Sequence, residues 1–282
     1  MRRIFFDERG SLRNGWWILI YLALLIVASV VLGTGARFLK RLGVGRAWFE
    51  PVPFLITLAA AWAVTRRRRE RLADLGWRLD RRWLAELAWG TALGAVLIAA
   101  AAGLTWAAGG VRFELDPHRA FRVLGYGFYS FLLVALFEES LFRGFCFQRM
   151  VDGLGPWGAQ LVLAALFALA HWGNQGMHGS ARVWGTLNIA MAAVLLGLAY
   201  LRTRSLALPV GIHLGWNWAQ GSVFGFSVSG TGASRGWLHP VLQARPEWVT
   251  GGAFGLEASV SGVLVLAAAI ALLWAWRREP AV

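Results

Sequence analysis

LVALFEESLFRGFCF, residues 133–147, is an apolar run interrupted by two adjacent carboxylates and one guanidinium: Glu138, Glu139 and Arg143. The apolar run extends from Leu124 to Met150 around them, about 40 Å of helix at 1.5 Å per residue. That length exceeds the roughly 30 Å hydrocarbon core of a bilayer, so the stretch reads as a transmembrane span. Charge inside a span costs at least about 2.5 kcal/mol per residue on insertion scales and so marks pairing or function. Glu139 and Arg143 are four apart, acid before base, and share a helix face on which they can neutralise one another. Glu138 is rotated about 100° away, which leaves its carboxylate without that guanidinium and suited to hold a water as a general base.

The rest of the chain extends the membrane reading. Of 282 residues, 57% are hydrophobic and 15% charged, with 17 Trp and 17 Phe. A soluble domain carries about 25% charged residues. Eight spans are expected, at 16–32, 51–64, 83–107, 124–150, 156–172, 183–201, 206–224 and 256–276. The fold class is therefore all-α, a polytopic membrane protein of about eight transmembrane helices forming a single domain over 1–282. Spans four to seven are expected to enclose a cavity, and the motif-bearing core covers 124–219. Gly90 with Gly94, and Gly211 with Gly215, have the small-xxx-small spacing that lets helices approach closely. Trp16, Trp17, Trp157, Trp172, Trp274 and Trp276 stand at span ends, as interfacial belts do.

The net charge of +13 is carried between the spans. Most of the 28 basic residues fall in the N-terminus, in the loops after the second, fourth and sixth spans, and in the C-terminus, with Arg66–Arg82 the densest run. The positive-inside rule then puts both termini in the cytoplasm, although Arg37, Lys40, Arg41 and Arg46 dissent. The basic residues are read as partners of anionic membrane lipids, and no nucleic-acid partner is expected. Lys40 is the only lysine; with the Ala, Gly and Trp load this suggests a GC-rich bacterial genome and a bacterial cytoplasmic (inner) membrane. The N-terminus reads as an uncleaved anchor. Cys146, the single cysteine, reads as a small apolar core residue.

Two further spans carry polar interruptions. FALAH (residues 167–171) ends the fifth span with His171, and HLGWN (213–217) sets His213 and Asn217 four apart on one face of the seventh. Counted from the span ends, Glu138, Glu139 and His171 lie roughly 20 Å from one membrane face and His213 about 10 Å, a mismatch left to tilt or a cavity. Singly these residues have bland readings. Glu139 with Arg143 reads equally as a structural ion pair, and a lone intramembrane His as a helix–helix hydrogen bond. Trp216 and Trp218 read as helix packing, and Glu257 as an acid near a helix N-terminus.

EESLFR (138–143), FALAH and HLGWN resemble, in order and spacing, the EExxxR, FxxxH and HxxxN motifs of the CAAX protease and bacteriocin-processing family of intramembrane peptidases. That family is related to the type II CAAX prenyl-protein endopeptidases. GGAFGLE (251–257) is also similar to bacterial members. The resemblance implies a glutamate-dependent endopeptidase acting on a peptide or membrane-protein substrate. Glu138 would activate water with help from His171, His213 and Asn217 would stabilise the oxyanion, and Glu139 and Arg143 would support the site. A prenylated C-terminus is the eukaryotic relatives' substrate, and a bacterial chain need not share it.

No cofactor is expected, and no residue is assigned as a metal ligand. A divalent metal such as zinc is the alternative, since one Glu and two His are ligand types, but HExxH is absent and Asn is a poor zinc ligand. Two other functions fit the buried polar set. One is a non-catalytic membrane scaffold or bacteriocin-immunity-type protein. The other is a proton-coupled transporter, against which the sequence shows no internal repeat.

Overall fold

Helix α1 spans Asn14–Arg41 and α2 spans Val52–Arg68. Both end in basic residues, which suit the negative end of the helix dipole. The computed structural model describes residues 2–6, 10, 12–232 and 235–276. Helix α3, Arg81–Ala107, starts where the Asp80 carboxylate accepts from the Trp83 N–H at 2.8 Å, satisfying one amide that the first turn leaves open. Helix α4, Phe121–Glu139, continues through a π-helical stretch, Ser140–Phe145, into α5, Cys146–Ala170. Helices α6 (Gly179–Thr203), α7 (Ala207–Trp218) and α8 (Val260–Ala275) follow. Strands β1 (Val111–Leu115) and β2 (Leu238–Leu242) pair antiparallel, with Val111 opposite Leu242.

The fold is all-α and polytopic. Among the described residues, five stretches are long and apolar enough to cross a membrane: Asn14–Arg41, Ala47–Arg68, Arg81–Ala107, Phe121–Ala170 and Gly179–Thr203. Ile26, Val27 and Val30 of α1, Leu161 of α5, and Leu264 and Leu272 of α8 stand exposed, as side chains facing lipid do. The second stretch begins four residues before the expected Pro51, because a 3-10 turn at Arg46–Phe49 leads into it.

The expected fourth and fifth spans form one helical trace, 121–170, broken at Gly155 (φ 73°, ψ 169°), a conformation open to glycine and followed by Pro156. The chain reverses there. Phe142 and Phe167, at similar distances before and after Gly155, meet edge to face with ring centroids 4.9 Å apart. Helix α5 thus holds the end of the fourth span and all of the fifth. The seventh expected span, 206–224, is a 12-residue α-helix continued by a π-helical stretch, Ala219–Val223. Every residue from Ala207 to Asn217 is buried, so α7 is a core helix sheathed by its neighbours.

What holds α7 in place is backbone proximity. A Cβ on Gly90 would lie 2.6 Å from the Leu208 carbonyl oxygen, one on Gly94 would overlap the Ile212 carbonyl, and one on Gly215 the Thr91 carbonyl. In lipid no hydrophobic driving force joins helices, so this van der Waals contact between α3 and α7 is the association.

The loops sort to two ends. At one end the Leu206 N–H donates to the Gly76 carbonyl at 3.2 Å, and Arg149 pairs with Glu70 at 3.1 Å. These contacts join the loops after α2 and α6 to the helix running into Gly155. At the other end lie the β1–β2 ribbon and Glu50, which accepts from Ser130 at 3.0 Å and from Tyr126. Arg9, Arg277 and Arg278, which add to the basic charge of the two termini, lie outside the described residues.

Candidate active site

The two acidic residues of EESLFR sit where α4 leaves α-helical geometry, since the π-helical stretch begins at Ser140. Such bulges are frequent at functional sites because they re-aim side chains on an otherwise regular helix. Glu139 and Arg143 point inward and are 0% and 1% exposed. Their Oε1–Nη1 distance is 3.1 Å, and the Arg143 Nη2 donates to the Ala193 carbonyl of α6 at 3.2 Å. The Arg143 guanidinium also lies 5.0 Å from the Phe167 ring centroid. Charge pairing, a carbonyl and a ring face together compensate a cation with no water around it.

His213 joins the same carboxylate. Its Nδ1–H donates to Glu139 Oε1 at 2.8 Å, and its Nε2 stands 3.8 Å from Glu138 Oε2. Glu139 therefore couples Arg143 to His213, while Glu138 remains the carboxylate on the cavity side, half-buried at 22% exposure. Donation from Nε2 requires the imidazolium form, because Nδ1 is already committed to Glu139.

His171 is oriented differently. It caps the C-terminus of α5, and its Nδ1–H donates to the Phe167 carbonyl at 2.7 Å. A neutral imidazole held this way presents the Nε2 lone pair as an acceptor. Phe167 also lies 4.8 Å from the His171 ring, centroid to centroid. The aromatic position of the FALAH segment thus packs on Arg143 with one face of its environment and steadies His171 through both ring and carbonyl.

Glu138, His171, His213 and Asn217 all line one cavity of about 330 Å³. The depth difference counted for His213 does not separate it from the carboxylates, since its ring reaches Glu139 directly at 2.8 Å. Spans four to seven contribute, as expected, but α8 and its approach add Glu257 and Leu266, and the preceding loop adds Val228, Ser229 and Thr231. Trp216 lines the cavity too, whereas Trp218 donates its indole N–H to the Leu124 carbonyl at 3.0 Å. Cys146 is buried and lies outside the lining.

The sequence reading missed Asn188 and the setting of Glu257. Asn188 of α6 is buried, and its Nδ2 has no partner among the described residues; a search of the sixth span for polar interruptions would have found it. Glu257 stands near a helix N-terminus, as expected, in the first turn of the 3-10 helix Leu256–Ala258, but it is buried and lines the cavity. Among the described residues no three His, Cys, Asp or Glu side chains group as a metal ion needs. His213 and His171 each present only Nε2, and Glu139 is committed to Arg143 and His213. The residues do not form a closed zinc set.

Comparison with known proteins adds one match. Residues 120–219 fit the family model of the type II CAAX prenyl endopeptidases, Rce1-like. No curated protein and no solved structure matches the chain. The matched segment runs from the start of α4 to Ala219, two residues past Asn217, and so contains all six residues singled out by the polar interruptions. Over this segment the chain is similar to the Rce1-like, type II CAAX prenyl endopeptidases, the group its three motifs resemble.

Proposed function

We propose that the protein is an intramembrane endopeptidase that hydrolyses a peptide bond with a water activated by Glu138. One observation carries this reading: a carboxylate, two differently oriented imidazoles and a carboxamide from three helices share one membrane-embedded cavity. In the proposed reaction Glu138, helped by the His171 Nε2 lone pair, takes a proton from water as its oxygen attacks the substrate carbonyl. The new oxyanion is met by N–H donors of His213 and Asn217. Glu138 then returns the proton to the amide nitrogen as the C–N bond breaks, leaving a carboxylic acid and an amine, between which the second water proton passes to give carboxylate and ammonium. Glu139 holds the His213 ring, and Arg143 balances the Glu139 charge.

The substrate is read as a peptide or membrane-protein segment reaching the cavity from the bilayer or its surface. The basic loops contact anionic lipid. A bacterial inner-membrane location with both termini in the cytoplasm remains part of this proposal, resting on the arginine distribution.

The test is to screen purified protein in liposomes against a broad peptide library, with Glu138→Gln as control. Cleavage by the wild type, lost in the variant, supports the proposal. Peptide binding without cleavage, unchanged by the substitution, replaces it with a scaffold. Proton-driven solute flux abolished by Glu138→Gln replaces it with a transporter.

A further inference from the structure

The cavity contains a second buried carboxylate that the proposed reaction does not use. Glu257 Oε2 accepts from the Ser229 N–H at 2.6 Å and from Gln220 Nε2 at 2.9 Å, and Oε1 accepts from the Ser229 hydroxyl at 2.9 Å. With three hydrogen bonds accepted, both of its oxygens are engaged, which suits a fastening group better than a second base. The Ser229 carbonyl is engaged as well, accepting from Asn174 Nδ2 at 2.7 Å. Every polar group of Ser229 is thereby tied.

Ser229 is also in a left-handed conformation, with φ 48°. An L-residue there is disfavoured by a factor on the order of ten, and it persists only where its surroundings over-determine it. Such residues concentrate at functional sites. Asn174, Ser229 and Glu257 all line the cavity that holds Glu138 and His171. Gln220, the other partner of Glu257, lies on the π-helical stretch three residues beyond Asn217 and also donates to the Ser227 carbonyl at 2.7 Å. The fastening therefore joins the loop wall of the cavity to the helix that carries His213 and Asn217.

We propose that Glu257 is a positioning residue: together with Asn174 it clamps Ser229 in its left-handed conformation and so fixes the substrate-facing wall at Val228–Thr231. The kinetic consequence rests on the peptidase reading, whereas the conformational one does not. Glu257→Gln keeps the shape but turns an amide donor toward groups that are themselves donors.

The test measures two things on Glu257→Gln and on Glu257→Gln/Ser229→Gly: hydrogen exchange of residues 228–231, and kcat/KM. Glu257→Gln is expected to speed exchange of this segment and lower kcat/KM, each about tenfold, equivalent to ~1.4 kcal/mol. Adding Ser229→Gly should recover most of both losses, because glycine adopts this φ without help. Should Glu257→Gln fail to fold, Asn174→Ala releases the other side of the clamp and should be rescued by the same glycine. Exchange left unchanged, or losses that glycine does not recover, would overturn the clamp. A wild type that cleaves nothing overturns the peptidase reading alone, since the exchange measurement stands without it.

Discussion

Replacing Arg143 with Met tests the buried ion pair at the base of the site. Methionine keeps the reach of the side chain and its contact with Phe142 and Phe167, but removes the guanidinium bonded to Glu139 Oε1 at 3.1 Å and leaves His213 as that oxygen's remaining partner. At that separation and an effective dielectric of 20, the attraction between the two charges is about 5 kcal/mol. The desolvation of both groups offsets much of this, so the pair adds little net stability over an apolar pair. Breaking it is another matter, because Glu139 is fully buried and its Oε2 has no partner among the described residues. The expected cost of Arg143→Met is ~3–5 kcal/mol, and Glu139→Gln alone, which strands the guanidinium, should cost a similar amount. The double variant Arg143→Met/Glu139→Gln carries no stranded charge and should be more stable than the sum of the singles by at least about 2 kcal/mol. Reversible unfolding in mixed micelles, monitored by tryptophan fluorescence, measures all three. Additive losses, or a single variant within about 0.5 kcal/mol of wild type, would refute the account of the pair.

Other outcomes follow from the same geometry. Gly215→Val places methyl groups into the Thr91 carbonyl and should destabilise by ~1–3 kcal/mol while displacing His213 and Asn217; thermal unfolding in detergent and kcat read both effects. Asn217→Ala should lower kcat by roughly 10²–10³ with KM little changed, the signature of a group that acts on the oxyanion. Activity should survive exhaustive chelation, with elemental analysis finding no stoichiometric metal; activity lost on chelation and restored by Zn²⁺ would reverse that expectation.

How far the sequence was legible varies from element to element. The polar interruptions were readable because a charge inside an apolar run has few explanations, and they led directly to Glu138, Glu139, Arg143, His171, His213 and Asn217. The glycine spacing at 90/94 and 211/215 was readable for a similar reason: in lipid, small residues four apart signal close approach, and here they join α3 to α7. The reversal at Gly155 was legible in the gap between the fourth span, ending at 150, and the fifth, starting at 156; that helix would continue up to the turning residue was not. The partnership of His213 with Glu139 could not be read at all, because both carboxylates are adjacent in sequence and only tertiary packing chooses between them. The setting of Glu257 was missed for a related reason: its place near a helix N-terminus was legible, while its partners, Gln220 and Ser229, are about 30 residues away in sequence.

The central claim is that Glu138 acts on the reacting water rather than on binding. Its most direct test is kcat for Glu138→Gln against wild type on one cleaved peptide in liposomes, with the peptide's Kd measured in parallel. The account predicts kcat lower by 10²–10⁴ with Kd unchanged. A variant that cleaves within about threefold of wild type, or whose loss lies entirely in Kd, would contradict it.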